Sequence, residues 1–443
     1  MPEILLLIPP NKEGFIRDTY YGCWHKRKFI NYSWPPLYLY QLNSIIKNSK
    51  IVDLSELSFE YGLNYFKNAK NLKFIVCNIG TFTFKEDLMF LKEIKKITTA
   101  KIIVFGQHPT VEPEETLKSG TIDFALRGEP ENIINDIINN KFNKKELKKI
   151  NGVCFGKHIS KKTVIINDLN SIPFPKRIKN KRYYNPLVKN IPYTTMLLTR
   201  GCPFDCIFCT VPTLFGKTFR KRSIESVILE IRQVLLQGYK EIFIRDENLT
   251  LDKKYLKNLC NEIINENLKF TWICNSRVDT VDYDLLKLMK KSGCHLIKFG
   301  VESGNQKTLN LLRKGITLLQ IKNTFRICKK ISIDTLGHFM IGSPGETRND
   351  ILNTIKFAID LDPTYASFDV LIYYPKSNVN LQEKSKLSVR ELNNLHDYAF
   401  RKFYLRPIYI LKNILKTKTI YELINKFRAT FQLWRGLIKS IIS

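Results

Sequence analysis

Cys202-Pro203-Phe204-Asp205-Cys206-Ile207-Phe208-Cys209 stands directly after an apolar strand pattern and Gly201. Three thiolates within eight residues, on a loop at a strand's carboxyl end, can converge on one metal centre. Soft sulfur favours zinc or iron–sulfur. Closed sites of both kinds normally take four protein ligands. No fourth cysteine is near, because Cys154 and Cys260 each lie about fifty residues away. Three ligands to a four-iron cluster leave one iron open to a small molecule. A zinc knuckle closed by a distant residue is the competing reading.

Around this loop, apolar runs alternate with helical patterns. Strands are expected at 194–199, 241–245, 270–275, 295–301, 335–341 and 366–372, with helices at 224–237, 253–266, 283–292, 306–313 and 319–330. Each strand runs into a polar or Gly-rich loop. Six such β/α units in order favour a partial parallel (β/α)6 barrel over an open sheet, occupying residues 191–387.

The first 150 residues show the same rhythm on a smaller scale. Strand candidates are 4–8, 51–54, 73–77, 101–105 and 122–126, with helices at 37–47, 85–97 and 110–118. Strands without polar alternation, separated by helices, form a parallel sheet covered on both faces, so a Rossmann-like doubly wound α/β domain is expected over 1–150. Ligands on such sheets bind at the carboxyl ends of the strands. Those ends read Pro9-Pro10-Asn11, Thr81-Phe82-Thr83, Gly106-Gln107-His108-Pro109 and Arg127-Gly128-Glu129. Residues 151–190 read as a small ribbon, 153–155 with 163–167, followed by a Pro-rich basic linker. Residues 388–443 carry no strand signal. Ile420, Leu423, Phe427, Phe431, Trp434, Ile438 and Ile441 recur at three or four, which predicts one amphipathic helix in a helical basic tail.

The 443 residues carry 71 Lys+Arg against 41 Asp+Glu, a formal +30. Residues 151–190 hold 9 basic and 1 acidic side chain, and 398–443 hold 10 and 1, so these 86 residues supply more than half of the excess. Such clusters suit phosphates, nucleic acid or an anionic membrane, with a Lys/Asn/Ile-rich coding bias as the plain alternative. The opening Met1-Pro2-Glu3 lacks a basic n-region, and the apolar run 4–8 is too short for a signal peptide or a span. A cytoplasmic protein is expected, its ten cysteines being thiols, ligands or catalytic groups and not a disulfide framework.

The spacing of the cysteine triplet, with an aromatic before the last Cys, resembles the radical S-adenosylmethionine (SAM) superfamily. The resemblance extends to Ile244-Arg245-Asp246-Glu247-Asn248, Phe299-Gly300-Val301-Glu302-Ser303-Gly304 and Gly337-His338-Phe339-Met340-Ile341-Gly342-Ser343-Pro344-Gly345-Glu346, at the ends of the second, fourth and fifth barrel strands. It implies that Cys202, Cys206 and Cys209 hold a [4Fe–4S] cluster whose free iron chelates the amino and carboxylate groups of SAM. By the same resemblance Phe208 lies against the adenine, and Asp246 or Glu247 accepts hydrogen bonds from the SAM ammonium. Arg277 pairs with the SAM carboxylate, Glu302 and Ser303 reach the ribose hydroxyls, and Gly342 with Pro344 shapes the adenine edge. The other cysteines (Cys23, Cys77, Cys154, Cys260, Cys274, Cys294, Cys328) lack ligand spacing and read as core or surface thiols.

The N-terminal segment narrows the resemblance. Gly106-Gln107-His108-Pro109-Thr110, Arg127-Gly128-Glu129-Pro130-Glu131, Asp168-Leu169-Asn170-Ser171-Ile172-Pro173-Phe174-Pro175 and Phe403-Tyr404-Leu405-Arg406-Pro407 are similar to stretches of cobalamin-binding radical SAM proteins, such as anaerobic Mg-protoporphyrin ester cyclase-like and lipid-modifying members. That implies cobalamin contacts from Asn11, Thr81, Thr83, Gly106, Gln107, His108, Gly128 and Glu129. The usual Asp-x-His-x-x-Gly signature is missing, because Pro9-Pro10-Asn11-Lys12-Glu13-Gly14 follows the first strand. Cobalt without a protein His below it is therefore implied, with His108 shaping the pocket. A degenerate domain that binds no cobalamin is the alternative.

The function so implied is an oxygen-sensitive enzyme. Its reduced cluster cleaves SAM to a 5′-deoxyadenosyl radical, which abstracts hydrogen from an unactivated carbon, and methylcobalamin delivers a methyl group to a small-molecule or lipid-like substrate. An external flavodoxin- or ferredoxin-like electron donor is the expected partner; the basic tail either packs its apolar stripe on the barrel, with its charges solvated, or makes a peripheral membrane contact. Cyclisation or ring rearrangement without methyl transfer is the alternative within the class. Modification of tRNA is the alternative in a second class. The tRNA methylthiotransferases carry three further N-terminal cysteines, however, whereas only Cys23 and Cys77 precede residue 150 here.

Overall fold

In a computed structural model the described residues are 3–10, 15–17, 24–26, 32–69, 71–139, 143–180, 182–375 and 385–415. Beyond these, 417, 423–425, 427, 428, 430–432, 435 and 436 are described. Two six-stranded sheets organise them.

The first sheet contains β1 (Ile4–Ile8), β4 (Ser49–Asp53), β5 (Phe74–Asn78), β6 (Lys101–Phe105), β7 (Phe124–Leu126) and β8 (Val153–Cys154). A short antiparallel pair, β2 (Phe15–Arg17) with β3 (Trp24–Lys26), lies between β1 and β4 in the chain. The strand order is β4-β1-β5-β6-β7-β8, parallel except for the edge strand β8. β1 and β5 are buried at every position, because helices cover both faces. Separate apolar clusters lie on the two faces, one with Leu5, Ile75 and Phe90, the other with Leu6, Val76 and Leu39. The chain steps outward from β1 to β4 and then returns to the other side of β1, which places the topological switch point between β1 and β5.

Two local expectations are corrected here. The helix expected over 110–118 is two turns, Gln107–Val111 and Pro113–Lys118. Pro113 holds Glu112 out of the helical region, at φ −127° and ψ 61°, which breaks the run. The expected ribbon over 153–167 does not form a unit of its own. β8 pairs with β7, and Val164 bridges to Gly128, so both segments extend the first sheet. Gly128 has φ +89°, and a Cβ there would meet the Val164 carbonyl at 2.2 Å, so this crossing requires glycine.

The second sheet is entirely parallel. It runs β9 (Tyr193–Met196), β12 (Glu241–Ile244), β13 (Thr271–Ser276), β14 (Cys294–Glu302), β15 (Asp334–Ile341) and β16 (Tyr365–Val370), each strand pairing with the next. Outward side chains such as Ile242, Trp272, Ile297, Phe339 and Phe368 join the helices in the largest apolar cluster. Inward side chains Phe243, Ile273, Leu296 and Leu336 form a second cluster with Ile16, Trp34 and Val188. A two-stranded pair, β10 (Thr199–Arg200) with β11 (Arg220–Lys221), brackets the cysteine loop. The curled, unclosed parallel sheet is the partial barrel expected from the β/α rhythm.

The linker is less free than its composition suggests. Arg177 enters a buried ion pair with Glu230 at 2.5 Å, and Arg222 binds the other oxygen of the same carboxylate. The C-terminal region begins with helices Val389–Tyr404 and Pro407–Leu415. Ser388 and Glu391 form a capping box on the first, and Phe400 and Phe403 dock it on β16 through Phe368. Of the expected apolar stripe, Leu423, Phe427 and Phe431 are exposed, while Ile420, Trp434, Ile438 and Ile441 lie outside the described residues. Among the described residues no helix is long and apolar enough to cross a membrane.

Candidate active site

The carboxyl ends of the second sheet gather most of the residues singled out in the sequence. The loop from β9 carries Cys202, Cys206 and Cys209, with Cys206 buried and the other two partly exposed. Gly201 opens it at φ +86°, where a Cβ would meet the Thr218 carbonyl at 2.2 Å. Val211, Leu214 and Phe215 pack against Cys202 and Cys209. Among the described residues no three His, Cys, Asp or Glu side chains are gathered closely enough to hold a single metal ion.

Two adjacent carboxylates after β12 have different fates. Asp246 is fully buried and accepts hydrogen bonds from the Leu198 N–H at 2.8 Å and the Thr199 hydroxyl at 2.7 Å. Burial still pushes its carboxyl up to about 7. It therefore anchors the strand that leads into the cysteine loop. Neither carboxylate oxygen of Glu247 has a hydrogen-bond partner, and its charge acts on Cys202. Burial, then the neighbouring Asp246, push it up to about 8. A buried carboxylate without a partner is costly unless a cation completes it.

Arg277, at the end of β13, points its Nη1 at Cys206 Sγ, 3.8 Å away. Asp279 binds its Nε and Nη2, both at 2.9 Å, the Lys314 carbonyl accepts from Nη2 at 2.7 Å, and the guanidinium stacks on Phe204 at 3.6 Å. Glu302 ends β14 in the left-handed region, φ +68°, just after a register shift against β15. Such a bulge re-aims a side chain, at some conformational cost. The Glu302 carboxylate meets Lys314 Nζ at 2.8 Å. Ser303 is tied down instead, its hydroxyl 3.0 Å from that of Thr354. Gly342, after β15, donates its N–H to Glu346 at 2.8 Å, as Ser343 does at 3.0 Å. Phe208 packs with Ile207, Leu312 and Met340 between the cysteine loop and β15.

The first sheet presents a second set of strand ends. Gln107 and His108 are each 3% exposed, yet neither the Gln107 amide nor either His108 ring nitrogen has a hydrogen-bond partner. The Thr81 hydroxyl is also without one. His108 stacks on Phe84 at 3.8 Å, and burial lowers it to about 4, so the ring is neutral. Thr83 is engaged within the protein, donating to Asp87 at 2.6 Å, and Asp87 in turn holds Arg17 at 2.5 Å. Gly106 follows β6 at φ +111°. Asn11 lies outside the described residues.

Glu129 is held by two arginines that flank the cysteine loop. Its carboxylate binds Arg220 at 2.8 and 3.0 Å and Arg200 at 3.2 Å, while Glu131 binds Arg200 at 2.6 Å. All four side chains are at most 5% exposed. The turn Gln107–Val111 also packs against helix Val211–Phe215, just beyond Cys209. The two sets of strand ends are thus joined through the pair that brackets the cysteines. Sequence reasoning missed Lys314, Asp279, Arg200 and Arg220, which are single charges among many with no motif to mark them. The described cysteines outside the loop (Cys77, Cys154, Cys260, Cys274, Cys294, Cys328) are all buried, and Cys23 lies outside the described residues.

The chain resembles known proteins along most of its length. It is 29% identical to an uncharacterized methyltransferase of Pyrococcus horikoshii, over 94% of this chain and 95% of that one. It is 26% identical to the anaerobic magnesium-protoporphyrin IX monomethyl ester cyclase of Cereibacter sphaeroides, over 91% of this chain and 69% of the other. Among solved structures, the radical SAM methyltransferase TsrM of Kitasatospora setae superposes with a TM-score of 0.70 at 17% identity, covering 86% of this chain and 75% of that one. At that identity the likeness concerns the fold alone; the TsrM structure itself has been solved with cobalamin and a [4Fe–4S] cluster bound. Residues 196–358 match the model of the radical SAM superfamily, and this protein carries a radical SAM domain.

Proposed function

We propose that this enzyme reductively cleaves SAM at a [4Fe–4S] cluster and, with cobalamin, methylates an unactivated carbon of a small molecule. The observation that carries the reading is a pair of incomplete polar sites on joined strand ends. One is the three-cysteine loop beside the unpartnered Glu247 carboxylate. The other is the buried Gln107 amide, which has no hydrogen-bond partner, beside His108, whose ring stacks on Phe84 and has Glu115 3.7 Å from its Nε2.

Both sites fit their cofactors. When bound, the cluster supplies an electron to SAM, and cobalamin supplies a methyl group. Cys202, Cys206 and Cys209 hold the cluster. Glu247 accepts hydrogen bonds from the methionyl ammonium, Arg277 opposes the carboxylate, Glu302 serves the ribose, and Phe208 with the Gly342 loop borders the adenine. Asp246 and Ser303 support these groups from behind. Thr81 and Gln107 offer hydrogen bonds to the corrin side chains, and Gly106 lets the backbone come close. Neutral His108, stacked on Phe84, would shape the pocket wall. Flavodoxin- or ferredoxin-like proteins suit the electron supply.

A small-molecule substrate is supported by the TsrM structure, which holds tryptophan, and by the cyclase, whose name specifies a tetrapyrrole ester. Anaerobic reconstitution tests the reading. Both 5′-deoxyadenosine and S-adenosylhomocysteine are expected from SAM. The first without the second points to a cyclase, and neither product overturns the proposal.

The tail gives the enzyme a peripheral contact with anionic membrane. Ile408, Leu411, Ile414 and Leu415 are exposed on helix Pro407–Leu415, followed by exposed Phe427 and Phe431, in a segment of ten basic residues and one acid. Apolar burial and positive charge act together on such surfaces. Flotation with anionic vesicles should succeed, weaken with salt and fall when Arg428, Arg435 and Lys439 become Gln. Equal recovery on neutral vesicles, or none on either, removes this contact.

A further inference from the structure

Lys314 belongs to no motif singled out in the sequence. It follows the short helix Gln306–Leu311, and three bonds fix its place. Its N–H donates to the Leu309 carbonyl at 3.0 Å, its own carbonyl accepts from Arg277, and two residues earlier the Leu312 carbonyl accepts from Ile207 of the cysteine loop at 3.2 Å. The turn is therefore tied to the cysteine loop and to the end of β13. From it the Lys314 side chain runs inward, 8% exposed, to place Nζ 2.8 Å from Glu302 and 5.9 Å from the centre of the Phe208 ring. A Cβ at Gly300 would lie 2.7 Å from the same ammonium, so glycine at that position of β14 leaves it room.

We infer that Lys314 is a SAM-positioning residue, acting through Glu302 on the ribose and, with Arg277, adding a second fixed cation next to the cysteine loop. The inference rests on the SAM site proposed above. Its physical basis is that Glu302 is 7% exposed, sits in the left-handed region and has this lysine as its ion-pair partner. A buried carboxylate loses its fixed position when its compensating cation is removed. An ionised, fixed carboxylate makes the stronger acceptor for hydroxyl donors. The same ammonium lies 5.9 Å from the Phe208 ring of the cysteine loop, where its field favours an anionic ligand and the more negative, reduced state of a bound cluster.

The test uses the full chain with its cluster reconstituted, and free SAM as the probe. Lys314→Gln is expected to keep the iron content of the parent protein but to raise the Kd for SAM at least tenfold. It should also shrink the change in the electron paramagnetic resonance signal on SAM addition and lower the cluster's midpoint potential. Lys314→Arg should recover most of the affinity. The double variant Glu302→Gln, Lys314→Met removes both charges and so covers the case in which the single change fails to fold. It should bind SAM as weakly as Lys314→Gln. Parental affinity and spectra in Lys314→Gln would overturn the inference while leaving the SAM site in place, and in the double variant they would overturn it together with the ribose role of Glu302. Failure of the parent protein to bind SAM would overturn the site itself.

Discussion

Glu129 and Arg220 form a buried two-point ion pair, at 2.8 and 3.0 Å, between the loop after β7 and the strand that follows the cysteine loop. With Glu131 and Arg200 it makes a four-residue charge cluster at most 5% exposed. Arg200 stands two residues before Cys202, so the cluster ties the loop after β7 to the start of the cysteine loop.

Glu129→Ala leaves Arg200 and Arg220 buried without their shared counter-charge. Loss of one partner of a buried pair costs about 3–5 kcal/mol, which urea unfolding of the full chain should register. Glu129→Gln keeps the shape and part of the hydrogen bonding, so a smaller loss is expected. Because the carboxylate is turned to the barrel, the Gln variant should titrate with cobalamin like the parent. A displaced midpoint would return Glu129 to the cofactor.

Reconstituted protein should hold about four irons, the content of one cubane. Cys206→Ala should lose the cluster absorbance and all SAM cleavage, since its sulfur lies beneath Arg277 at 3.8 Å. Normal 5′-deoxyadenosine production by that variant would refute the ligand assignment.

Asp246 and Glu247 should separate cleanly. Glu247→Gln removes a carboxylate whose oxygens accept no hydrogen bond from the protein, so stability should change little while SAM affinity drops about tenfold or more, the worth of a charge-assisted hydrogen bond. Asp246→Asn should leave SAM affinity nearly intact and alter the pH dependence of stability instead. Burial raises Asp246 from 3.8 to about 7, so between those values the folded state keeps a proton that the unfolded chain has released. Its contribution is fully favourable below pH 3.8 and declines as pH rises towards 7. Urea midpoints measured across that window should slope downward in the parent and flatten in Asp246→Asn.

Cobalamin should bind base-off and without a protein nitrogen on cobalt. His108 is stacked on Phe84 and lowered to about 4 by burial. Anaerobic titration with hydroxocobalamin, followed by reduction to the cobalt(II) form, should show no histidine hyperfine splitting. A nitrogen pattern that vanishes in His108→Ala would show the opposite. Gln107→Ala, which removes the unpartnered amide, should weaken binding about tenfold if one buried hydrogen bond to the cofactor is lost.

The barrel was legible because its strands are continuous apolar runs and its helices keep a strict 3.6-residue period, both consequences of burying one sheet under a layer of helices. Strands predicted at 335–341 and 241–245 appear as Asp334–Ile341 and Glu241–Ile244. The cysteine loop was legible for a different reason: ligand spacing within one loop is local. Helix Arg348–Leu361 and the short helices around residue 140 were not anticipated, and Pro113 broke a helix that the apolar pattern alone carried through.

The sequence by itself determined the order of elements, the three cysteines on one loop and the position of each polar strand end along the chain. Which of those polar groups is available for a ligand was decided only by the tertiary structure. Asp246 and Glu247 are neighbours in sequence, yet one is consumed by Leu198 and Thr199 from forty-odd residues away and the other is left without a partner. Glu129 sits in a stretch that reads as part of a cofactor pocket, but Arg220, 91 residues further on, takes its carboxylate. Lys314 reaches Glu302 because a turn, held by Arg277 and Ile207, aims it there. Hydrogen bonds and ion pairs between distant segments depend on where the fold places each partner. A local pattern carries no trace of a partner supplied by another strand.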